Sequence, residues 1–390
     1  VSDGDLYDDQ SVSLFVSNVV ETATVNGTLT NDSLTGGSEN DHLYGGYGKD
    51  ILEGGPGDDI LDGGSGKDTL VFGDGNTLLS LSDANDGVAQ DTGHGNDTIM
   101  TNTIENITTG SGDDIIIANI SDNILITGDG NDRLYGAGGD DTLTAGLGND
   151  RLYGSYGNDI MAGGEGDDRL YGDYGNDILN GGSGDDILDG GAGKDTIIFG
   201  NLNTILSLSS DYDGQAQDTG HGNDTIMTNT IENVTTGSGN DIIVANASDN
   251  ILITGDGNDR LYGDAGDDTL TAGLGDDRLY GSYGQDIMSG GQGDDQLFGS
   301  YGDDILDGGS GDDILDGGSG KDTLIFGDLD TTVSLSDAND GIAQDTGHGN
   351  DTIMTSTIEH VTTGSGDDSI MANASDNTLD GGAGNDSLSG

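Results

Sequence analysis

Aspartates in a fixed phase are the residues of this chain with the clearest chemistry. Asp50, Asp59 and Asp68 follow one another at intervals of nine. Each is the sixth residue of a block reading Gly-Gly-x-Gly-x-Asp-x-apolar-x: GGYGKDILE at 45–53, GGPGDDILD at 54–62 and GGSGKDTLV at 63–71. A carboxylate ending one glycine-rich turn, stacked on another such turn, sets carboxylate and free backbone carbonyl oxygens around one point. That is the flexible, oxygen-only geometry Ca²⁺ prefers, whereas Mg²⁺ keeps its waters and demands a strict octahedron. Softer metals lack ligands in a chain without Cys. Asp and Asn favour turns in any protein, so a single loop would mean little. About thirty copies in one phase mean a repeated cation site.

A coil must hold these carboxylates in place. Glycines at positions 1, 2 and 4 permit positive φ and close backbone approach. Positions 7 to 9 make a short strand whose middle side chain, as in Leu52, Leu61, Leu134 and Leu143, points inward. Two blocks, 18 residues, complete one turn, so like strands stack at about 4.8 Å with Leu and Ile ladders as a thin core. The expected fold is all-β: a parallel β-roll, or β-solenoid, of two short-stranded sheets over residues 26–390, with the cation loops along its edges. Roughly 20 turns would make a rod about 100 Å long.

A longer period overlies the short one. TGHGNDTIM begins at Thr92, Thr219 and Thr346, 127 residues apart, which is seven turns of 18 plus one residue. Irregular segments at 72–108, 199–235 and 326–362 recur with it and replace whole strand-loop units, so the winding can pass through them in phase. Residues 1–25 differ. Their stretch SVSLFVSNVV reads as one strand with one apolar face, similar to the end strand of a preceding immunoglobulin-like or cadherin-like domain, or an N-terminal cap.

Charge narrows the partners. Nine Lys+Arg against 74 Asp+Glu leave a formal net charge of −65, which repels nucleic acid and anionic membrane alike. No apolar run approaches the roughly 20 residues of a membrane span, so membrane insertion is not expected. With 31% of residues apolar and 5% aromatic, composition alone predicts disorder. A folded state therefore needs a thin stacked core and a cation that removes the repulsion. Absence of Cys rules out a disulfide framework and fits an exported protein. No initiator Met or signal peptide opens the chain, so a segment of a longer protein is expected.

The block resembles the RTX (repeat-in-toxin, hemolysin-type) calcium-binding nonapeptide, over nearly all of residues 27–390. The resemblance implies a right-handed parallel β-roll with Ca²⁺ between consecutive loops on each edge, bound by the position-six Asp and by loop carbonyls. Carried onto this sequence, the ligands are Asp41, Asp50, Asp59, Asp68, Asp97, Asp114, Asp132, Asp141, Asp150, Asp159, Asp168, Asp177, Asp186 and Asp195. They continue with Asp224, Asp241, Asp259, Asp268, Asp277, Asp286, Asp295, Asp304, Asp313, Asp322, Asp351, Asp368 and Asp386. Blocks with Asn123, Asn250 and Asn377 in the sixth place lack most of the glycines and depart from the pattern. The family also implies type I secretion in an unfolded state and folding on external Ca²⁺. Some 23 ions, at about one per regular stacked loop pair, would leave a net charge of roughly −19.

Two further patterns remain. Arg133, Arg151 and Arg169 are 18 apart, as are Arg260 and Arg278, and each opens a strand Arg-Leu-Tyr. Tyr135, Tyr153, Tyr171, Tyr262 and Tyr280 therefore form a matching outward row. Such a face can grip an anionic sugar chain or a second copy through charge, cation–π contacts and apolar area, or can be an ordinary exposed sheet. Lys67, Lys194 and Lys321 precede each irregular segment, where an ammonium can replace Ca²⁺ at the end of a run or simply be solvated. No H-E-x-x-H, G-x-S-x-G, Walker A loop or Cys nucleophile is present, and an enzyme is not expected. The reading is an extracellular, secreted or cell-surface, calcium-binding structural repeat region of adhesin or matrix type. A polysaccharide-binding module and a self-assembling filament or surface-layer subunit are the alternatives.

Overall fold

A three-residue strand has too few hydrogen bonds to stand alone, so each one here exists through its neighbours 18 residues away. The structure, a computed structural model, describes residues 12–15 and 22–390. The chain divides into two compact units, Val1–Asp195 and Thr196–Gly390. Both are parallel β-rolls. In the first unit Thr142, Ile160 and Ile178 stack in register on one face, and Arg133, Arg151 and Arg169 on the other. Between the faces run two apolar ladders, Leu125, Leu143, Met161 and Leu179 against Leu134, Leu152, Leu170 and Leu188, none more than 1% exposed. In the second unit Leu252, Leu270, Met288 and Leu306 face Leu261, Leu279, Leu297 and Leu315 in the same way.

Many strands are twice the expected length. Arg151–Tyr156 and Ile160–Glu165 run through the first residues of the next block and bury alternate positions. Position 1 continues the inward row, and at Gly163 an added Cβ would collide with Asp168 Oδ2 and the Gly181 carbonyl. Position 2 then turns the chain with positive φ, 120° at Gly164.

The irregular segments contain more regular structure than their sequence suggests. Leu78–Ser80 pairs in parallel with Ile115–Ile117, so residues 72–80 form a turn with Phe72 in the glycine place and Thr77 in the aspartate place. Residues 199–207 and 326–334 do the same. Beyond Ser80 the first unit forms a hairpin: Val88–Asp91 pairs antiparallel with Asn96–Ile99, which lies parallel on Ile60–Ser65. One sheet thus ends at the hairpin and another starts at Leu78–Ser80, while the opposite sheet continues from Thr69–Val71 to Asn106–Thr108 and Ile124–Ile126. Gln90 bridges the break. Its side-chain amide donates to the Ser80 carbonyl and accepts from the Ser80 N–H, both at 2.9 Å. Gln217 does so with Ser207, also at 2.9 Å each way. A primary amide carries the same donor and acceptor as a peptide and serves as a one-residue strand.

At the N-terminus Val12–Phe15 pairs in parallel with Asp32–Thr35. The rest of the alternating stretch 11–20 lies outside the described residues.

Candidate metal centre

Position six sits just before each strand, where the side chain turns back under the loop. Every expected ligand from Asp41 through Asp368 is at most 2% exposed, whereas Asp386 is half-buried. One carboxylate oxygen is committed to the fold. Asp150 Oδ1 accepts the Asp132 N–H (2.7 Å), Asp168 Oδ1 that of Asp150 (2.8 Å) and Asp186 Oδ1 that of Asp168 (2.9 Å). Along the other edge Asp141, Asp159, Asp177 and Asp195 form the same ladder at 2.8 Å per step. The second unit repeats both, from Asp259 through Asp277 and Asp295 to Asp313, and from Asp268 through Asp286 and Asp304 to Asp322.

The second oxygen is left bare. Oδ2 is buried without a hydrogen-bond partner in Asp50, Asp59, Asp68, Asp132, Asp141, Asp150, Asp159, Asp168 and Asp177. The same holds for Asp259, Asp268, Asp277, Asp286, Asp295, Asp304, Asp322 and Asp368. A buried ionised oxygen without a partner is costly. Burial drives carboxyls of this ladder up, to about 6 for Asp159 and Asp304, about 7 for Asp168 and Asp268, and about 8 for Asp141 and Asp313. At Asp141 the Asn123 N–H opposes the rise, and the neighbouring Asp159, Asp122 and Asp140 add to it.

The space beside each bare oxygen shows what it is for. A Cβ on Gly263 would meet both Asp268 Oδ2 and the Gly281 carbonyl, and one on Gly299 both Asp304 Oδ2 and the Gly317 carbonyl. Carboxylate and peptide oxygens of successive turns thus converge beside the position-one glycine. Among the described residues no three His, Cys, Asp or Glu side chains come together, so main-chain carbonyls must complete the donor set. All-oxygen, flexible and singly charged per loop, that set fits Ca²⁺.

Not all expected ligands are alike. Asp97, Asp114, Asp224 and Asp241 receive hydroxyl hydrogen bonds on Oδ2 from Thr92, Thr109, Thr219 and Thr236, each at 2.5 Å. Asp351 receives one from Thr346. Asp41 takes the Gly37 N–H on Oδ2 at 2.5 Å, and Asp386 Oδ1 ends the ladder by accepting from Asp368 at 3.1 Å.

Sequence reasoning missed several members. Asp32 is 3% exposed and its N–H donates to Asp50 Oδ1 at 2.8 Å; GTLTNDSLT at 27–35 keeps the first and sixth positions, which was the available signal. Glu105 Oε2 accepts the Asp68 N–H (2.8 Å) and Glu359 Oε2 that of Asp322 (3.0 Å), the longer side chain reaching the aspartate place. An outer ladder at position five has the opposite polarity. Asp113 Oδ1 accepts from Asn131 (2.8 Å), Asn131 Oδ1 from Asn149 (3.1 Å) and Asn149 Oδ1 from Asp167 (3.0 Å). Lys194 and Lys321 donate into this ladder through their N–H groups at 2.8 and 2.9 Å, and lacking a side-chain acceptor they end it. Lys67 Nζ lies 4.0 Å from Asp122 Oδ2, both exposed, and not at a loop centre.

On the Arg-Leu-Tyr face the rings stack, Tyr135 on Tyr153 at 4.8 Å and Tyr153 on Tyr171 at 5.1 Å. Tyr262 and Tyr280 are 4.9 Å apart, and Phe298 continues the row at 5.2 Å. Among the described residues none of Arg133, Arg151, Arg169, Arg260 or Arg278 makes an ion pair. The first three line a shallow groove with Asn131, Asp132 and Asn149. His94 packs on Phe72 with ring centroids 5.5 Å apart and its Nε2 3.3 Å from Thr77 Oγ1, a packing role.

Stacked nonapeptide turns with a buried aspartate at every regular loop define a calcium-binding β-roll. The family described as RTX calcium-binding nonapeptide repeat (4 copies) matches residues 26–79, 101–206, 235–331 and 362–390 in overlapping copies. These spans make up well over half of the chain, and the chain belongs to that family. No curated protein matches it. Among the described residues no helix is long and apolar enough to cross a membrane.

Proposed function

We propose that this chain is a calcium-dependent structural repeat region of a large secreted or surface-attached bacterial protein, folding as Ca²⁺ enters its loops. The observation that carries the reading is the row of buried, partnerless Oδ2 atoms in the stacked loops. Without a cation these oxygens repel one another and the chain is favoured extended; with Ca²⁺ each turn docks on the last. Asp50, Asp59, Asp68, the series Asp132–Asp195 and the series Asp259–Asp322 supply the carboxylates, and position-one carbonyls of the next turn add ligands. Circular dichroism in Ca²⁺ and then in excess chelator tests this: most of the β-signal is expected to be lost to coil and to return on adding Ca²⁺. A spectrum unchanged by chelator overturns the reading.

The unpaired arginines support a second role on the same frame. Guanidinium groups repeating at 18-residue intervals beside stacked Tyr rings suit a linear chain of acidic sugars. Binding to an acidic polysaccharide in Ca²⁺ is expected to weaken at least tenfold in Arg151→Ala with Tyr153→Ala, while the circular dichroism stays that of the parent. Undiminished binding removes this role.

A further inference from the structure

The loops around each irregular segment are built differently from the rest, and the difference lies at the metal position. In the block at 118–126 the sixth residue is neutral. Asn123 Nδ2 donates to the Glu105 carbonyl at 2.7 Å, and Asn119 Nδ2 donates to the Thr101 and Ile104 carbonyls at 3.1 and 3.0 Å. The block at 245–253 repeats this. Asn250 Nδ2 reaches the Glu232 carbonyl at 2.7 Å, and Asn246 Nδ2 the Thr228 and Ile231 carbonyls at 3.0 and 2.9 Å. These amides stitch the loop to the turn below, with no carboxylate left to neutralise.

The neighbouring loops retain the carboxylate but cap it. Thr92 and Thr109 hydroxyls donate to Asp97 and Asp114 Oδ2 at 2.5 Å, the oxygen left bare elsewhere, and Thr219 and Thr236 do so for Asp224 and Asp241. Each of these Thr residues stands at position one of its block, where most regular loops carry glycine. The boundary is sharp. Thr127 opens the next block, and although neither its hydroxyl nor Asp132 Oδ2 makes a hydrogen bond of regular geometry, the hydroxyl lies near enough to offset part of the rise that burial gives Asp132.

We infer that residues 92–126 and 219–253 are metal-independent joints, in which Thr hydroxyl and Asn amide protons close the loops in place of calcium. The inference rests on the reading that the loops with a bare Asp Oδ2 bind Ca²⁺, and it removes Asp97, Asp114, Asp224 and Asp241 from the ligand set. The joints hold their turns before calcium arrives and give the calcium-dependent runs on either side a formed end to wind from, which shortens the costly first step of a linear repeat array. The third copy is a partial joint. Asn373 and Asn377 still donate to the Thr355 and Glu359 carbonyls at 2.9 and 3.2 Å, but Asp368 Oδ2 is bare.

Two measurements on the full chain test this. Native mass spectrometry at saturating Ca²⁺ counts bound ions: Asp168→Asn is expected to lower the count and Asp114→Asn to leave it unchanged. Loss in both variants overturns the joints alone; loss in neither overturns the calcium-loop reading beneath them. Hydrogen exchange of the unaltered chain in chelator is expected to keep amide protection at 106–126 and 233–253 while 136–189 and 263–319 lose it. Loss of protection throughout also overturns the joints, and protection throughout overturns the calcium-loop reading.

Discussion

At the scale of single residues, the chemistry turns on which atoms a side chain may approach. Position four is the least forgiving place in a loop. Gly166 has φ of 130°, and a Cβ there would run into the Gly148 carbonyl; the region is costly for any L side chain by about 1–3 kcal/mol before the collision is counted. Position one is more tolerant, because Ala145 and Ala272 already occupy it with Asp150 and Asp277 still in the ladder. Gly166→Ala is therefore expected to destabilise the calcium-loaded protein by about 3 kcal/mol or more, and Gly163→Ala by about 1 kcal/mol. Urea unfolding at fixed Ca²⁺ gives both, and equal losses would contradict the geometry.

The element is the 18-residue turn, and its stability is cooperative with its two neighbours only. Leu152 fills the ladder between Leu134 and Leu170 with no exposure, so Leu152→Ala is expected to cost about 2–5 kcal/mol. Faster amide exchange should centre on residues 133–171, and uniform acceleration over the first unit would contradict a nearest-neighbour core. At the breaks between sheets the load falls on one side chain. Gln217 is 8% exposed and makes both of its 2.9 Å bonds to the Ser207 peptide groups. Gln217→Ala leaves that edge unpaired at a cost of about 1–3 kcal/mol, read as faster exchange at 205–218 with the regular turns unchanged.

For the whole molecule, charge is the governing quantity. A formal charge of −65 is self-repulsion in the unfolded chain and ligand inventory in the folded one. Burial holds loop carboxyls of the metal-free fold well up, Asp159 to about 6, Asp168 to about 7 and Asp313 to about 8, against an ordinary 3.8. A folded value above the unfolded one adds stability that is complete below the unfolded value and lost as pH rises through the folded one. In chelator, β-structure is therefore expected near pH 4 and coil above about pH 8, with the transition followed by circular dichroism. With Ca²⁺ the dependence reverses, because the ion requires the ionised form; affinity should fall as pH drops from about 8 to 6. A metal-free chain equally unfolded at both pH extremes would show that carboxylate repulsion is not what calcium relieves.

Period and residue type were enough to read the parallel roll, the inward Leu ladder and the stacking of the position-six aspartates, because each depends only on identical contacts repeated every 18 residues. GGxGxD states those contacts locally, block by block. The tertiary structure alone decided what happens where the repeat fails. Thr77 in the aspartate place, Glu105 reaching in from a longer side chain and Gln90 standing in for a strand are contacts across 37, 37 and 10 residues, outside the 18-residue rule. The same holds for the distinction between bare and capped carboxylates. Thr109 and Thr127 open similar blocks, TGSGDD and TGDGND, and only the packing of neighbouring turns brings one hydroxyl to 2.5 Å from its aspartate and leaves the other without a bond of regular geometry.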